Sequence, residues 1–233
     1  MKTIIFDVDD TLYDQLQPFQ NTVKQQLDPD FPAEKIADLY LTSRKYSDEV
    51  FEKHMSGEIT ALELQTYRIT QACKEFGIDM SYEEAVTFQE VYLRQQQQIT
   101  LFPEWKDLLD KFVKDGLQLA ILTNGELKHQ MMKVKQLGIS KWIAEENIFV
   151  SGDIGHSKPN PIVFYHVEEK LHLEKDSTLY IGDSYENDII GAKQVGWKAI
   201  WMNHRLREKP DTEWLPDDTI THSSELAALF TSK

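Results

Sequence analysis

The sequence predicts an α/β fold, a doubly wound parallel sheet interrupted by an inserted α-helical domain. Three observations carry this. Short β-rich apolar runs alternate with helical periods through the second half of the chain, the pattern of a parallel sheet covered on both faces. An equally apolar run stands alone at the start, and about a hundred residues separate it from the next, where a crossover needs only about a dozen. The gap itself reads as helix.

The opening run, Lys2 to Val8, ends abruptly in the acidic turn Asp7-Val8-Asp9-Asp10, a buried strand opening onto polar chemistry. In the insert, Ile36, Leu39, Tyr40, Val50, Phe51 and His54 recur at three- and four-residue spacing before a stop at Gly57. Thr60 with Glu63 and Ser81 with Glu84 have capping-box spacing and open two further helices, with Gly77 closing the first of them. The Gln95 to Gln98 run reads as a solvated helix end or hinge. Pro103 then begins a helix carrying Trp105, Leu108, Leu109 and Phe112 back to the core. This sets an inserted helical domain at residues 14–98 and a core at residues 1–13 and 99–233.

Beyond the insert, strands are expected at Leu117 to Thr123, Asn147 to Ser151, Ser177 to Gly182 and Lys198 to Met202. Helices are expected at Glu126 to Leu137, Pro161 to Leu171 and Glu186 to Val195, with Gly138 and Gly196 closing the first and last. Arg205 to Asp218 is a charged, proline-bearing loop, followed by a short strand near Thr219 and a helix begun by Ser223 or Ser224.

Composition narrows the function. With 25 Lys and Arg against 39 Asp and Glu, the net charge is −14, a field that repels nucleic-acid duplexes. A small anion could still enter beside a local cation. The first apolar run, Ile4 to Phe6, is cut by Asp7 and does not match a signal-peptide core, and no run approaches the ~20 apolar residues of a membrane span. The single cysteine, Cys73, excludes an intramolecular disulfide and sits at an apolar helical position, so it reads as a buried small hydrophobe. A cytoplasmic protein is expected.

Ligands of an open parallel sheet bind beyond the carboxyl ends of its strands. The first strand delivers Asp7, Asp9 and Asp10 there; the second, Thr123, Asn124 and Gly125. The loop after the third delivers Ser157, Lys158 and Pro159, and the fourth strand Gly182, Asp183 and Ser184, then Asn187 and Asp188. Each taken singly is an ordinary turn or helix cap; together they crowd carboxylates, a hydroxyl and an ammonium onto one rim. Crowded carboxylates raise one another's pKa values unless a divalent cation holds them ionised, and Mg2+ takes such hard oxygen ligands. Lys158, Thr123 and Asn124 suit the oxygens of a phosphoryl group.

The motifs Asp7-Val8-Asp9-Asp10-Thr11-Leu12, Thr123-Asn124-Gly125, Lys158-Pro159 and Gly182-Asp183-Ser184-Tyr185-Glu186-Asn187-Asp188 resemble the four ordered motifs of the haloacid dehalogenase (HAD) superfamily. The resemblance covers the whole core, and the insert is similar to that superfamily's helical type-1 cap. It implies a HAD-like Rossmannoid core and phosphoryl transfer in two steps. Asp7 would be the nucleophile and become an aspartyl-phosphate; Asp9 would act as acid, then base. The side chains of Asp7 and Asp183 and the backbone carbonyl of Asp9 would hold Mg2+, with Asp188 behind them or bridged by water. Thr123 and Lys158 would bind the phosphoryl oxygens, with backbone amides near Asp10 and Asn124.

Asp9 also bears on the reaction type, since the superfamily's dehalogenases lack an acid at that position and work without metal. A phosphatase acting on a small phosphorylated metabolite is therefore expected, with a sugar-phosphate mutase as the alternative within the superfamily. A non-enzymatic phospho-acceptor signalling domain uses similar parts, but its acceptor acid lies on the third strand and no large insert interrupts it. The stretch Trp201-Met202-Asn203 with Arg205, Arg207, Glu208, Lys209 and Pro210 is similar to the tail of bacterial pyrimidine 5′-nucleotidases, which ranks nucleoside 5′-monophosphates first. Tyr13, Phe19, Tyr46, Tyr67 and Tyr92 could line a pocket for a flat base or simply pack as core. The seven histidines form no pair at ligand spacing, and His156, two residues before Lys158, reads as a loop residue.

Overall fold

The structure is a computed structural model and describes residues 1–231; the last two residues of the expected core segment lie outside these. The chain divides into two compact units, one of Met1–Asp14 with the chain from Thr100 onward, the other Gln15–Ile99.

The first unit is built on six strands: β1 (Thr3–Phe6), β2 (Gln118–Thr123), β3 (Ile148–Val150), β4 (Thr178–Gly182), β5 (Lys198–Met202) and β6 (Asp218–Ile220). They lie in the order β3-β2-β1-β4-β5-β6, every pairing parallel. This is the doubly wound arrangement. Order reverses at β1, which sits between β2 and β4, so the carboxyl ends of these three strands form the crevice in which ligands bind. The strands are shorter than the apolar runs suggest: β1 ends at Phe6, with the Asp7 amide making a last bond to the Ile181 carbonyl at 2.9 Å, and β3 ends at Val150 because the chain turns into a helix at Ser151.

Alternation along β1 divides the core. Ile5 joins Ala120, Leu122, Tyr180, Phe164 and Trp197 on one face of the sheet. Phe6 meets Trp105 edge-to-face with centroids 5.2 Å apart. Trp105 is carried by α5 (Pro103–Lys114) of this unit, and its indole donates to the Thr11 carbonyl at 2.8 Å, so the helix also braces the loop after β1.

The second unit holds α1 (Leu16–Gln26), α2 (Ala33–Met55), α3 (Ala61–Glu75) and α4 (Tyr82–Gln96). Both capping boxes form: the Thr60 and Ser81 hydroxyls accept from the backbone of Glu63 and Glu84, whose carboxylates accept in return from the cap backbone. Phe19 is the hub, edge-to-face with Tyr40, Phe88 and Tyr92 at 5.5, 5.7 and 5.8 Å, among Val23, Ile36, Leu39, Ile69 and Cys73. Of the expected base-lining aromatics, Phe19 and Tyr92 are thus core, while Tyr46 and Tyr67 form a separate edge-to-face pair, with the Tyr46 hydroxyl on Glu75. In the glutamine run, Gln97 and Gln98 are exposed but Gln96 is buried.

The rest of the first unit comprises α6 (Leu127–Gln136), α7 (Ser151–Ile154), α8 (Pro161–Leu171), α9 (Gly191–Gln194) and α10 (Glu225–Thr231). The helix expected at Glu186 to Val195 opens instead as a π-helix, Tyr185–Ile190, and only its second part is α-helical. The wide turn lies over the end of β4, where Asp188 folds back beneath the strand. Among the described residues, no helix is long and apolar enough to cross a membrane.

Candidate active site

Lys158 is the hub of the crevice. Its side chain is 2% exposed, and its ammonium donates to Asp7 Oδ1 at 2.8 Å, Asp188 Oδ1 at 2.6 Å and the Tyr180 hydroxyl at 2.9 Å. Burial disfavours the ammonium, but Asp188 and Asp7 outweigh that and hold Lys158 charged, its pKa well above the ordinary lysine value. The backbone beside it is fixed by Asn124, whose side chain accepts from the Lys158 amide at 2.8 Å and donates to the Lys158 carbonyl at 3.0 Å.

Asp7 leaves the end of β1 with 8% of its side chain exposed. Burial pushes its pKa up to about 6; Lys158 pulls the other way, while Asp188 and Asp9 add to the rise. Asp183, after β4, is likewise pushed well above the usual carboxylate range, first by burial, with Arg207 opposing at 3.0 Å and neighbouring acids reinforcing. Asp188 accepts on both oxygens, from Lys158 on Oδ1 and from the Ser184 amide on Oδ2 at 2.9 Å. Gly182 makes this possible: a Cβ there would overlap the Asp188 carboxylate.

Asp7, Asp183 and Asp188 bring carboxylate oxygens within 4.8 Å of one another. The donor set fits Mg2+, since three hard carboxylate oxygens converge in a buried crevice, the kind of ligand that ion takes. Asp9 stands outside this group. Its carboxylate is turned to Lys133, whose ammonium lies 2.7 Å from Oδ1 and 2.6 Å from Oδ2, so only its backbone carbonyl remains as the ligand the sequence implies. Burial would push Asp9 up, but Lys133, Tyr13 and Gln130 together hold it well below the usual range.

Thr123, at the end of β2, is 1% exposed, and its hydroxyl has no hydrogen-bond partner among the described residues. A buried hydroxyl left unpaired is a donor that an incoming anion would satisfy. Asp10 contributes differently. It adopts φ 55°, and its buried carboxylate is held by Arg205 Nη2 at 2.7 Å, with Arg207 at 3.7 Å. The side chains of Asp10 and Asn124 are therefore both engaged within the protein, and what either can offer a phosphoryl group is its backbone amide.

Sequence reasoning missed several members of this network. Tyr180 is a lone hydroxyl in the apolar run of β4; it donates to the Leu122 carbonyl at 2.7 Å while accepting from Lys158. Gln130 and Lys133 share the α6 face that buries Val134 and Leu137, and a polar pair inside an apolar stripe was the available signal. His204, lowered by burial, meets the Asp10 carbonyl at 2.8 Å, whereas His156 is exposed.

A strand order reversing at an acid-tipped β1 is shared widely, and comparison with known proteins identifies which lineage this is. The model of the haloacid dehalogenase-like hydrolases matches residues 4–202. The chain is 26% identical over 231 residues to pyrimidine 5′-nucleotidase YjjG of Escherichia coli, covering 97% of this chain and 96% of that one. It is also 26% identical to haloacetate dehalogenase H-2 of Moraxella, over 95% of this chain and 97% of that one. Among solved structures, the HAD-hydrolase YfnB of Bacillus subtilis, bound to magnesium, superimposes with a TM-score of 0.71 at 25% identity, covering 99% of this chain and 98% of that one. Relatives of equal identity thus act on nucleotides and on haloacetate, so likeness alone fixes the lineage and leaves the reaction to the site. The chain belongs to the haloacid dehalogenase-like hydrolases.

Proposed function

We propose that the protein is a Mg2+-dependent phosphomonoester hydrolase working through an aspartyl-phosphate, with nucleoside 5′-monophosphates ranked first among small phosphorylated metabolites. The observation that carries this is the pairing at the end of β1: Asp7 faces Lys158, while Asp9, two residues on, presents a second carboxylate held by partners of its own. A dehalogenase needs the first acid and not the second. The similarity to the YjjG nucleotidase over nearly the full length of both chains supports the substrate ranking.

In this reading an Asp7 oxygen attacks phosphorus in line, Lys158 and the Thr123 hydroxyl take the phosphoryl oxygens, and Asp9 protonates the departing ester oxygen. Asp9 then takes a proton from the water that hydrolyses the aspartyl-phosphate. Asp7, Asp183 and the Asp9 carbonyl would hold Mg2+, which when bound supplies charge neutralisation for the acids and the phosphoryl group. Asp188 and Tyr180 keep Lys158 in place. The inserted helices, like the cap they resemble, would choose the substrate.

The test is phosphate release from nucleoside 5′-monophosphates, sugar phosphates and phosphoglycolate, with magnesium and with excess chelator, beside Asp7→Asn. Magnesium-dependent release that disappears in Asp7→Asn supports the proposal. Turnover that requires a bisphosphorylated sugar activator would identify a mutase instead, and a long-lived acyl-phosphate without release would identify a phospho-acceptor.

A further inference from the structure

Lys133 is an unusual lysine. It lies in the middle of α6 on the face turned inward, with a side chain 2% exposed, where a surface helix ordinarily places an apolar residue. A buried ammonium is costly unless fully paired. Its paired carboxylate is Asp9, and it meets both oxygens, at 2.7 and 2.6 Å.

The other donors on that carboxylate converge from different directions. Gln130, one turn earlier on α6, donates to Oδ2 at 3.1 Å, and the Tyr13 hydroxyl donates to Oδ1 at 2.5 Å. The Gln130 amide also donates to the Asn124 carbonyl at 2.9 Å, which ties Asp9 to the loop that follows Thr123. That loop is shaped around Gln130: Gly125 has φ 142°, and a Cβ on it would come 2.8 Å from Gln130 Nε2. The Asp9 side chain nonetheless keeps 20% of its surface open. A carboxylate has about four lone-pair positions, and four hydrogen bonds from three residues set its plane and its place.

We propose that Lys133 and Gln130 are positioning residues, a fork on α6 that fixes where the Asp9 carboxylate stands and so serves both of its proton transfers. This rests on the phosphatase reading above. In the first transfer an Asp7 oxygen bonds phosphorus, the bond from phosphorus to the ester oxygen breaks with its electron pair on that oxygen, and that oxygen takes a proton from Asp9. In the second, a water oxygen bonds phosphorus and its proton passes to Asp9, while the bond to Asp7 breaks and returns its pair to the carboxylate. Both transfers need Asp9 within hydrogen-bond reach of a reacting oxygen, and displacement by about an ångström is enough to slow them; the contacts that fix this position also favour the ionised carboxylate, so what they serve is placement and not the store of protons. A purely structural ion pair would anchor α6 without distinguishing one leaving group from another.

Leaving-group dependence separates the two. A nucleoside 5′-monophosphate expels an alkoxide and needs the first proton, whereas 4-nitrophenyl phosphate expels a stable phenolate and does not, although its aspartyl-phosphate still needs the second transfer. With the full-length protein and magnesium, Lys133→Met is expected to lower kcat on the nucleotide by about 100-fold. On 4-nitrophenyl phosphate the same variant should give a rapid burst of one nitrophenolate per enzyme followed by slow turnover. Gln130→Leu should show the same pattern at about a tenth of the size, and Lys133→Arg should recover most of the loss. Should Lys133→Met not fold, Gln130→Leu decides. Equal losses on both substrates without a burst, in protein that melts as the wild type does, would reduce the pair to a structural role and overturn the proposal. Wild type that releases no phosphate, or releases it independently of Asp7, would instead remove the phosphatase reading, and the proposal with it.

Discussion

The two units of this protein bury different things. Among the described residues, the unit built on the sheet buries five acidic or basic side chains, Asp7, Asp10, Lys133, Lys158 and Asp188, and the helical unit buries no Asp, Glu, Lys or Arg. The helical unit is held by an aromatic hub and two capping boxes, whereas the sheet places its charges at one edge. Hydrophobic burial stabilises both, but buried ions rarely improve on well-packed apolar residues. The charges at the edge of the sheet therefore make sense as machinery and cost stability to keep.

That contrast can be broken by substitution. The largest effect is expected from Asp7→Asn, which should lower kcat by about 10⁴-fold or more while leaving the melting temperature of the magnesium-free protein unchanged or raised. The direction follows from the pKa. Burial lifts Asp7 to about 6, so near pH 7 it is ionised against an unfavourable surrounding, and a neutral amide of the same shape relieves that. A lower melting temperature, measured by calorimetry, would show that this carboxylate stabilises the fold after all.

Lys158→Met should act on both properties. It leaves Asp7 and Asp188 facing each other without their cation, at a cost of about 3–5 kcal/mol of stability in urea unfolding and about 100- to 1000-fold in kcat. Phe88→Ala, in the helical unit, should cost about 3–4 kcal/mol. Because that core buries no charge, the cost should be the same at pH 5 and pH 8; a cost that changes between them would mean the apolar unit is less simple than it looks.

The smallest effect tests the one titratable thiol in that core. Burial pushes Cys73 up to about 12, so the folded state keeps the proton that the unfolded chain releases from about pH 9. Its contribution is complete below pH 9 and is lost as pH rises from there toward 12. Cys73→Ala should therefore flatten the alkaline fall in stability, by about 1 kcal/mol at pH 10, read as the difference in urea midpoints between variant and wild type.

The sequence was legible where one local rule decides the outcome. The Thr60 and Ser81 boxes, Pro103 at a helix start and the acid-tipped first strand depend on neighbours within a few residues, and the alternation of units carries the parallel sheet. Partners brought together by the sheet were not legible. Tyr180 looked like any residue of a β-rich run, and nothing near Lys133 in the sequence names Asp9, which lies 124 residues away. The π-helix also escaped, because Glu186 to Val195 has an acceptable α-helical pattern and the wide turn answers to Asp188 reaching beneath Gly182. The position of Arg207 on Asp183 likewise depends on a loop with no periodicity to read.

The hydrogen bond between Asp7 and Lys158 joins residues 151 positions apart. On a ribosome the ammonium therefore emerges 151 residues after the prospective nucleophile beside it. Contacts of such long sequence separation form late, once the loop between them has been closed and the central strands have paired. An unfinished chain thus carries an aspartate with ordinary reactivity, and turnover becomes a report on completed folding. Regain of activity after dilution from urea would follow assembly of the sheet, and an early helical intermediate would be silent.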